Sequence, residues 1–579
     1  MPEQKGFKQL LLRLPTRALC LVLLALVALM ALYAILYSPT GAVEDLWKWD
    51  TTLNQFVFNA DGYASDIFTV DPATGASVLN TMNVGIIAGA LVGALVLAWL
   101  IGFLPKKLPV WIFPVIGGAV AFLFVTGLQL KPAGEGATMA SWIADYWTNS
   151  PNYTFTADPK YIEMVNNAPY DMGYLLFLFP VMYIGALVFG VDTVNGGYVA
   201  FNNLIWLQWV NVALLAIAVY MLLRAANRLF GKTAAQVAGL LSVAFLPLAM
   251  FSVALTSEIP ALFFASIAIE RTVVYLKNEK KLEDRSIVRF KKNGRLFNAL
   301  IVSLCMALAI IIKANYVVLG VVMVVVYLLD LLRNFRLKNM LPLIVIIALI
   351  AVHFLGMYPA AMISNSIFGN YYAPASNTTA SDLTNSLTGG ATEQVTALQN
   401  SNTTALFNSF LPQWLDPTFG LTDGILSHLN ADGLYIEESA IGPLPLYLFY
   451  LGGEVDPVTN AIIPSAYLAV TICNVEMNII YVFAIFGLLV CVFRASVERL
   501  ILPLYVIGGI LFHMIMGINP ISGIPYMLAL IALAGYGLAS VAGLFHGKSR
   551  RDDPLSKHFA KNRGKKKKHR DGEIETARG

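Results

Sequence analysis

The stretch QVAGLLSVAFLPLAMFSVALTSEIPALFFASIAIERTVVYLK, residues 236–277, is apolar almost throughout but carries Ser257, Glu258 and Pro260 near its middle. Each half has about the twenty residues needed to cross a hydrocarbon core of roughly 30 Å. An ionised carboxylate within hydrocarbon is costly, so the sequence favours two membrane helices joined by a turn at Glu258. Pro260 then falls in the first turn of the second helix, where its missing N–H costs nothing.

The composition of the whole chain is typical of a membrane protein. Of 579 residues, 57% are hydrophobic and 13% are charged, and the mean hydropathy is +0.67; a soluble chain carries about twice that charged fraction. We therefore predict an all-α polytopic membrane protein with about twelve spans. The predicted spans are 17–37, 84–104, 108–128, 203–223, 236–255, 260–277, 297–312, 315–332, 341–357, 472–493, 500–517 and 523–545.

The distribution of Lys and Arg predicts the orientation of these spans. With the N-terminus inside, 35 of the 39 Lys and Arg residues fall in inner segments, and the exceptions are Lys48, Lys131, Lys160 and Lys313. Because basic residues in short loops are retained on the cytoplasmic side, we predict a multi-pass protein of the cell membrane with both termini cytoplasmic. Glu258 is then at an outer turn, where its carboxylate can project into a water-filled cleft.

Three predicted outer segments, 38–83, 129–202 and 358–471, are too long to be simple connectors, and long loops on one side of a membrane usually carry function. In the second of them, the amphipathic helix after Glu135 is expected to lie on the membrane surface. The short apolar run 174–189, which contains Pro180, is expected to be a re-entrant or juxtamembrane helix on the outer side.

The predicted organisation follows from these segments. It comprises N-terminal spans with the first outer loop (1–107), a core with outer loop 129–202 (108–357), a partly folded outer loop (358–471), C-terminal spans (472–545) and a basic, disordered cytoplasmic tail (546–579).

Several other functions are disfavoured by the sequence. The four cysteines have no paired spacing and are expected to be buried apolar residues without a disulfide or metal framework. The basic run KNRGKKKKHR (561–570) is expected to contact anionic lipid, and no nucleic-acid partner is expected beside so many spans. The sequence contains no phosphate-binding GxxxxGK[ST] motif, so ATP-driven transport by this chain is not expected. A transporter or flippase of lipid-linked saccharides, or a polysaccharide polymerase or ligase, stays open as an alternative function.

Between about residues 110 and 340, weak motifs follow one another in a characteristic order. Glu135 comes soon after a span, and Asp145 lies on the helix that follows. The motifs APYDMGYLLFLF (168–179), SEIP (257–260) and LAIIIKANYVVLG (308–320) come next. In this order the sequence resembles the GT-C superfamily of membrane glycosyltransferases, in particular the bacterial branch that includes aminoarabinose transferases and protein O-mannosyltransferases.

The resemblance implies a fold, a reaction and a set of site residues. The fold is a GT-C-like helix bundle with juxtamembrane helices in the outer loops. The reaction moves a sugar from a polyprenyl-phosphate donor to a hydroxyl of a lipid-linked or polymeric glycan, or of a protein, on the outer face of the cell envelope. Glu135 is implied as the catalytic or metal-binding carboxylate, Glu258 as a second acidic group and Lys313 as the cation at the donor phosphate. Tyr170 and Asp171 are implied substrate contacts.

Two departures from the family pattern bear on these assignments. Family members usually have Asp where this chain has Glu135, so Asp145 is an alternative counterpart. The outer face also has no arginine, which leaves phosphate binding to lysines, backbone amides or a metal ion. If a divalent cation such as Mg²⁺ or Mn²⁺ takes part, Glu135 and Glu258 are its candidate ligands. The third outer loop is expected to cover the cleft and to select the acceptor.

Overall fold

The structure is a computed structural model. It describes residues 17–32, 47–50, 55–58, 68–70, 77–79, 81–101, 108–130, 132, 135–149, 172–191, 198–277, 295–333, 343–344, 346–348, 351, 414, 416–431, 436–437, 444–450, 461–462, 467–494, 496–516 and 520–545.

Most of the described chain is helical, and seventeen α-helices are numbered here in chain order. They are α1 (Arg17–Leu32), α2 (Thr81–Ile101), α3 (Ile112–Leu128), α4 (Glu135–Asn149), α5 (Met172–Phe189), α6 (Val199–Asn202), α7 (Ile205–Phe230), α8 (Lys232–Ala244), α9 (Leu246–Phe251), α10 (Glu258–Lys277), α11 (Arg295–Ile312), α12 (Val317–Arg333), α13 (Leu421–Ala431), α14 (Leu444–Tyr450), α15 (Tyr467–Phe493), α16 (Ile501–Met516) and α17 (Ile524–Phe545).

The prediction of an all-α polytopic membrane protein is confirmed. Seven helices in the described ranges are long and apolar enough to cross a membrane, judged by length and composition, and four further apolar stretches are shorter. The predicted bounds hold closely in the clearest cases, since α10 starts at Glu258 and has Pro260 in its first turn. The total of about twelve spans stays a prediction, because most of the span expected at 341–357 lies outside the described residues.

Three small antiparallel strand pairs occur in the described parts of the predicted outer segments, a detail that the all-α prediction did not include. Strand β1 (Trp47–Asp50) pairs with β2 (Gln55–Phe58), with Trp47 opposite Phe58. Strand β3 (Phe68–Val70) pairs with β4 (Ser77–Leu79). In the third outer segment, β5 (Ile436–Glu437) pairs with β6 (Ala461–Ile462). Each is a two-stranded sheet, so the helices remain the framework of the fold.

The predicted span 236–255 is not one helix, and this part of the prediction was wrong. It is divided into α8 and α9, because Phe245 leaves the helical conformation (φ −65°, ψ 93°). Pro247 explains the break: proline has no N–H to donate and its ring obstructs the preceding turn, so it suits the start of a new helix. The backbone N–H of Leu246 donates to Glu476 Oε2 on α15 at 2.9 Å, which satisfies the opened helix end.

Two helices form the most enclosed part of the bundle. In the apolar stretches of α10 and α17, 78% and 83% of the residues are buried inside the protein. Helix α10 packs between α7 and α11, and α17 packs against α15 and α8. Hydrophobic side chains of these helices join one continuous core. A carboxylate at the start of α10 therefore has protein on most sides.

The four cysteines are buried free thiols, and the prediction of their burial is confirmed. Cys20 lies in α1, Cys305 in α11, and Cys473 and Cys491 in α15. They pack as small apolar residues of the helix bundle.

Hydrogen bonds between distant segments gather several helix ends around the turn that precedes α10. Gln208, near the start of α7, donates to the carbonyl oxygens of Leu130 and Val253 at 3.3 and 3.0 Å. Ser522, just before α17, donates to Glu258. We call this the carboxylate end of the bundle. The turn before Glu258, which the distribution of Lys and Arg predicts to be on the outer side, lies at this end.

Helix α5 runs along the carboxylate end. A Cβ added at Gly173, near its start, would overlap the backbone carbonyl of Ile311, the last residue but one of α11. A Cβ added at Gly185, in its second half, would overlap the ring of Trp206, the second residue of α7. Because both contacts are with helix ends at the carboxylate end, they favour the juxtamembrane interpretation, although the length and composition of α5 would also suit a span.

Candidate active site

Glu258 is the most enclosed of the residues proposed for the site. Its side chain is 2% exposed, and it lies in the first turn of α10, where the helix dipole stabilises a negative charge. The hydroxyl of Ser522 donates to Glu258 Oε1 at 2.6 Å. A hydrogen bond to a carboxylate is short and strong when it is charge-assisted. The carboxylate is therefore held by protein groups, in contrast to the water-filled cleft that the sequence suggested.

A second layer of polar side chains fixes this arrangement. Asn315 Nδ2 donates to Ser522 Oγ at 3.3 Å, and the hydroxyl of Tyr316 donates to the backbone oxygen of Glu258 at 3.2 Å. Asn315, Ser522 and Glu258 thus form a chain of hydrogen bonds that orients the carboxylate. Both Asn315 and Tyr316 belong to the short 3₁₀ turn between α11 and α12.

Two buried hydroxyls flank the start of α10. Thr256 Oγ1 and Ser257 Oγ are inaccessible to solvent and have no hydrogen-bond partner among the groups that the structure describes. Buried polar atoms of folded proteins are normally paired with protein or water. These two hydroxyls are therefore candidate contacts for a polar ligand beside Glu258.

Glu135 lies at the same turn as Glu258. It is the first residue of α4 and is half-buried. The next residue, Gly136, donates its backbone N–H to the carbonyl oxygen of Leu255 at 3.1 Å. Glu135 also lies within electrostatic range of the buried hydroxyl of Tyr174, near the start of α5. Two carboxylates at two helix N-termini consequently approach the turn 252–257 from different sides.

Replacing Gly136 by Ala is expected to destabilise the protein by about 1–3 kcal/mol, because inserting a methyl group into a closely packed site forces the backbone apart. A Cβ at Gly136 would overlap the Leu255 carbonyl. Gly424→Ala is the matched control, since a Cβ there meets nothing within 4 Å and Ala favours a helix over Gly. Melting temperatures of the purified variants in detergent measure the effect, and equal values for both variants would contradict a close contact at Gly136.

Lys313 lies at the break between α11 and α12, three residues before the tyrosine that binds the backbone of Glu258. Its backbone is extended (φ −144°, ψ 115°), and its side chain is half-buried. It directly follows Ile312, whose backbone is packed by the start of α5, and it precedes Tyr316, which binds the backbone of Glu258. Of the four predicted outer lysines, Lys313 is the one whose side-chain burial the described structure gives.

The remaining candidate residues are placed differently. Asp145 is exposed on α4, ten residues after Glu135, which corresponds to about 15 Å of helix rise. It therefore lies well away from the turn that Gly136 contacts. Tyr170 and Asp171 fall outside the described residues, and α5 begins at the next residue, Met172.

Sequence reasoning did not identify the residues that support the turn. Gln208 binds the Val253 carbonyl, and Asn211 Nδ2 donates to the carbonyl oxygen of Ala254 at 2.9 Å. These side chains satisfy carbonyl groups that the irregular backbone leaves without helical partners. Two amides three residues apart in an apolar span were a detectable signal. No sequence signal pointed to Ser522, because 264 residues separate it from Glu258.

Aromatic residues of the segment 358–471 pack against the carboxylate end. The ring of Trp414 lies 5.2 Å from that of His513 and 6.1 Å from that of Tyr526. Phe419 packs edge-on against Phe245 at 6.2 Å, and it contacts the position of Gly523, next to Ser522. The predicted role of this segment as a cover of the cleft that selects the acceptor stays a prediction.

Asp416 organises the turn that carries Phe419. Its Oδ1 accepts hydrogen bonds from the backbone N–H and the hydroxyl of Thr418, at 2.9 and 2.8 Å, and its Oδ2 accepts one from the N–H of Gly420 at 2.6 Å. Phe419 adopts a left-handed conformation with φ 56°, which is unusual for a bulky residue. The carboxylate thereby holds a strained backbone in place and directs Phe419 inward.

The stability contributed by Asp416 is expected to depend on pH. Burial raises the pKa of its carboxyl group, although hydrogen bonds from Thr418 and Gly420 act in the opposite direction. The folded protein then holds the proton more tightly than the unfolded chain, so this contribution grows as pH falls and is lost as pH rises through the folded-state pKa. The melting temperature of wild type minus that of Asp416→Asn should increase as the pH is lowered from neutral toward about 4, the ordinary pKa of an aspartic acid. A difference that stays constant over this range would contradict a raised pKa.

The described residues do not form a metal centre by themselves. Among them, no group of three or more His, Cys, Asp or Glu side chains is close enough to hold a metal ion. Mg²⁺ usually takes about six oxygen ligands, and Ser522 already binds one oxygen of Glu258. Glu135 and Glu258 as ligands of a divalent cation stay a prediction, and no step of the reaction proposed below depends on one.

The fold and the site define a polytopic membrane protein that holds two carboxylates and a lysine at one end of its helix bundle. No protein-family model matches the chain, and no curated protein matches it. Solved structures are similar to parts of it. The apo oligosaccharyltransferase of Archaeoglobus fulgidus is 14% identical with a TM-score of 0.42, covering 76% of this chain and 52% of that chain.

Two further solved structures contain lipid phosphates. The archaeal oligosaccharyltransferase AglB from Archaeoglobus fulgidus, in complex with an inhibitory peptide and a dolichol-phosphate, is 13% identical with a TM-score of 0.43, over 76% of this chain and 52% of that one. ArnT from Cupriavidus metallidurans, bound to undecaprenyl phosphate, is 15% identical with a TM-score of 0.31, over 74% of this chain and 77% of that one.

The chain spans about half the length of the archaeal oligosaccharyltransferases that it matches. Since the TM-scores are below 0.5 and the identities do not exceed 15%, no residue role is transferred from these proteins. The activity and the substrates are inferred below from the residues of this chain.

Proposed function

We propose that the protein transfers a sugar from a polyprenyl-phosphate donor to a hydroxyl of a glycan, lipid or protein acceptor on the outer face of the membrane. One observation supports this proposal: hydrogen bonds tie the start of α4, the start of α10 and the 3₁₀ turn after Lys313 to the carboxylate end, so Glu135, Glu258 and Lys313 belong to the same end of the bundle although they are distant in sequence. Carboxylates suit the acceptor hydroxyl and the reacting sugar, and a cation suits the phosphate that leaves.

Each charged group has a role that fits its exposure. Glu135 is half-buried, with its Oε1 inaccessible to solvent, and is the more exposed of the two carboxylates, so we assign it the proton of the acceptor hydroxyl. As that oxygen attacks the anomeric carbon, the bond between this carbon and the phosphate oxygen breaks, and its electron pair leaves with the polyprenyl phosphate. Glu258, fixed by Ser522, faces the positive charge that develops on the sugar ring. Lys313 stabilises the negative charge on the leaving phosphate.

An apolar cavity supports a lipid-linked donor. It is small and partly open, and it lies between α3, α7 and the α8–α9 break, where Phe113, Phe245 and Leu248 belong to its lining. Its walls are side chains of helices in the apolar bundle, which suits a hydrocarbon chain. Ala249 of the same lining comes a few residues before the turn at Thr256. We therefore place the lipid chain of the donor in this cavity and its phosphate near Lys313.

Lys313→Met is expected to lower the turnover rate about 10²-fold or more, because it removes the positive charge opposite the leaving phosphate while keeping a long side chain. Lys313→Arg should retain a substantial part of the activity, since it keeps the charge. Initial rates of sugar transfer at saturating donor measure both variants. An unchanged rate for Lys313→Met, with a wild-type melting temperature, would remove Lys313 from the site.

The proposed reaction is tested with the purified full chain in detergent and a panel of radiolabelled polyprenyl-phosphate sugars. Transfer to an added acceptor, or slow hydrolysis of the donor, supports a glycosyltransferase. Transfer onto a growing polysaccharide would identify a polymerase or ligase. Absence of both reactions with every donor, together with counterflow of a lipid-linked saccharide in liposomes, would replace the proposal by transport.

A further inference from the structure

A fully buried carboxylate gathers three arginines far from the carboxylate end. Glu270 on α10 is 0% exposed. Its Oε1 lies 3.2 Å from Arg224 Nη2 and 3.1 Å from Arg228 Nη2, and its Oε2 lies 3.3 Å from Arg271 Nε. We call Arg224, Arg228 and Arg271 around Glu270 the arginine cluster. Glu270 follows Glu258 by twelve residues on the same helix, which places it about 18 Å further along the bundle.

The cluster is held rigidly by its neighbours. Arg224 and Arg228 are one turn apart on α7, and they face Glu270 together. The guanidinium of Arg224 also lies over the ring of Tyr220, 5.6 Å from its centre. Arg271 Nη1 donates to Asn298 Oδ1 on α11 at 3.5 Å. The three guanidinium groups are therefore preorganised by contacts with α7, α10 and α11.

The charges of the cluster do not balance. Three guanidinium groups face one carboxylate, so the cluster carries a net charge of +2 from these four side chains. A single arginine is enough to neutralise the one negative charge of Glu270. The side chains of Arg224, Arg228 and Arg271 are 32%, 34% and 22% exposed, and each guanidinium has five N–H donors. Donors and positive charge thus remain available at the surface of the bundle.

We infer that the arginine cluster binds the phosphate group of an anionic membrane lipid. Guanidinium groups bind phosphate through paired hydrogen bonds that match its geometry. Basic pockets between membrane helices are suited to anionic headgroups. The cluster lies on α7 and α10 near the basic segments that the distribution of Lys and Arg predicts to be cytoplasmic, so the lipid would come from the inner leaflet. This site is separate from the proposed transfer reaction at the carboxylate end.

The inference is tested by measuring thermal stability of the full chain in detergent against added phosphatidylglycerol, phosphatidylcholine and inorganic phosphate. Saturable stabilisation by phosphatidylglycerol, without an equal effect of phosphatidylcholine, is the expected result. Native mass spectrometry should show a retained anionic lipid. Equal stabilisation by both lipids would overturn the inference. Full protection by inorganic phosphate alone would show that the ligand is free phosphate and would overturn its lipid source.

A matched pair of variants locates the site. Arg228→Gln is expected to weaken the apparent affinity for phosphatidylglycerol about tenfold, because it removes charge-assisted hydrogen bonds. Lys232→Gln removes an exposed cation that follows α7 but is outside the cluster, and it should leave the affinity unchanged. If Arg228→Gln does not fold, Arg224→Gln replaces it. Wild-type affinity in whichever arginine variant folds, or an equal loss in Lys232→Gln, would place binding elsewhere.

Discussion

Glu135→Gln is expected to lower the rate of sugar transfer by about 10²–10⁴-fold, the usual contribution of a general base. The amide keeps the size of the side chain but cannot accept the proton of an acceptor hydroxyl. Gly136 and its hydrogen bond to Leu255 are untouched, so the start of α4 should stay in place. Initial rates with a radiolabelled polyprenyl-phosphate sugar, measured across pH, give the result. The wild-type rate should fall at low pH as the base is protonated, and the residual rate of Glu135→Gln should lose that dependence.

Asp145→Asn is the matched control, because the sequence left Asp145 as an alternative to Glu135. Asp145 is exposed and about 15 Å further along α4, so its replacement should change the rate by less than about threefold, within the range of ordinary surface substitutions. A large loss in Asp145→Asn with little change in Glu135→Gln would exchange the two assignments. Little change in the transfer rate of both variants would show that neither carboxylate of α4 takes part in the reaction.

Glu258→Gln should lower the transfer rate by about 10²–10³-fold, the size of effect seen when one preorganised electrostatic group is removed from an active site. The Ser522 hydroxyl can still donate to the amide oxygen, as it does to Oε1 at 2.6 Å, so the fold should persist. The substitution removes only the negative charge beside the sugar ring. The binding constant of the donor should therefore change much less than the turnover rate.

Glu498→Gln provides the comparison for Glu258→Gln. Glu498 is half-buried in the 3₁₀ turn Val497–Leu500, which precedes α16, and it has no part in the proposed site. The Glu498→Gln variant should retain the wild-type rate of sugar transfer. If Glu258→Gln transfers sugar within about tenfold of wild type while remaining folded, its buried carboxylate is a structural group and the proposed electrostatic role is wrong.

The helices of this protein were largely predictable from local sequence. The predicted span 523–545 corresponds to α17 (Ile524–Phe545), and the predicted 297–312 corresponds to α11 (Arg295–Ile312). A helix in a membrane satisfies its own backbone hydrogen bonds and needs only a sufficiently long apolar run. Both properties depend only on consecutive residues of the sequence. The break at Phe245 was also encoded locally by Pro247, but apolar length outweighed it in the prediction.

The candidate site was only partly predictable. Glu135, Glu258 and Lys313 stand out because charged residues are rare near apolar spans, and the distribution of Lys and Arg placed them on one face. Their supporting residues have no such signal. Ser522 is a common polar residue 264 positions from Glu258, and Asn315 becomes relevant only because it donates to Ser522.

By itself, the amino-acid sequence determined that this is a helical membrane protein, where most of its helices begin and end, and which few charged residues lie at the predicted outer turns. Only the tertiary structure decided that Glu258 is buried and held by Ser522, that Glu135 rather than Asp145 adjoins its turn, and that Glu270 gathers three arginines. The physical reason is that helix formation depends on residues a few positions apart. The burial and the hydrogen bonding of a carboxylate depend on side chains that the packing of distant helices brings together.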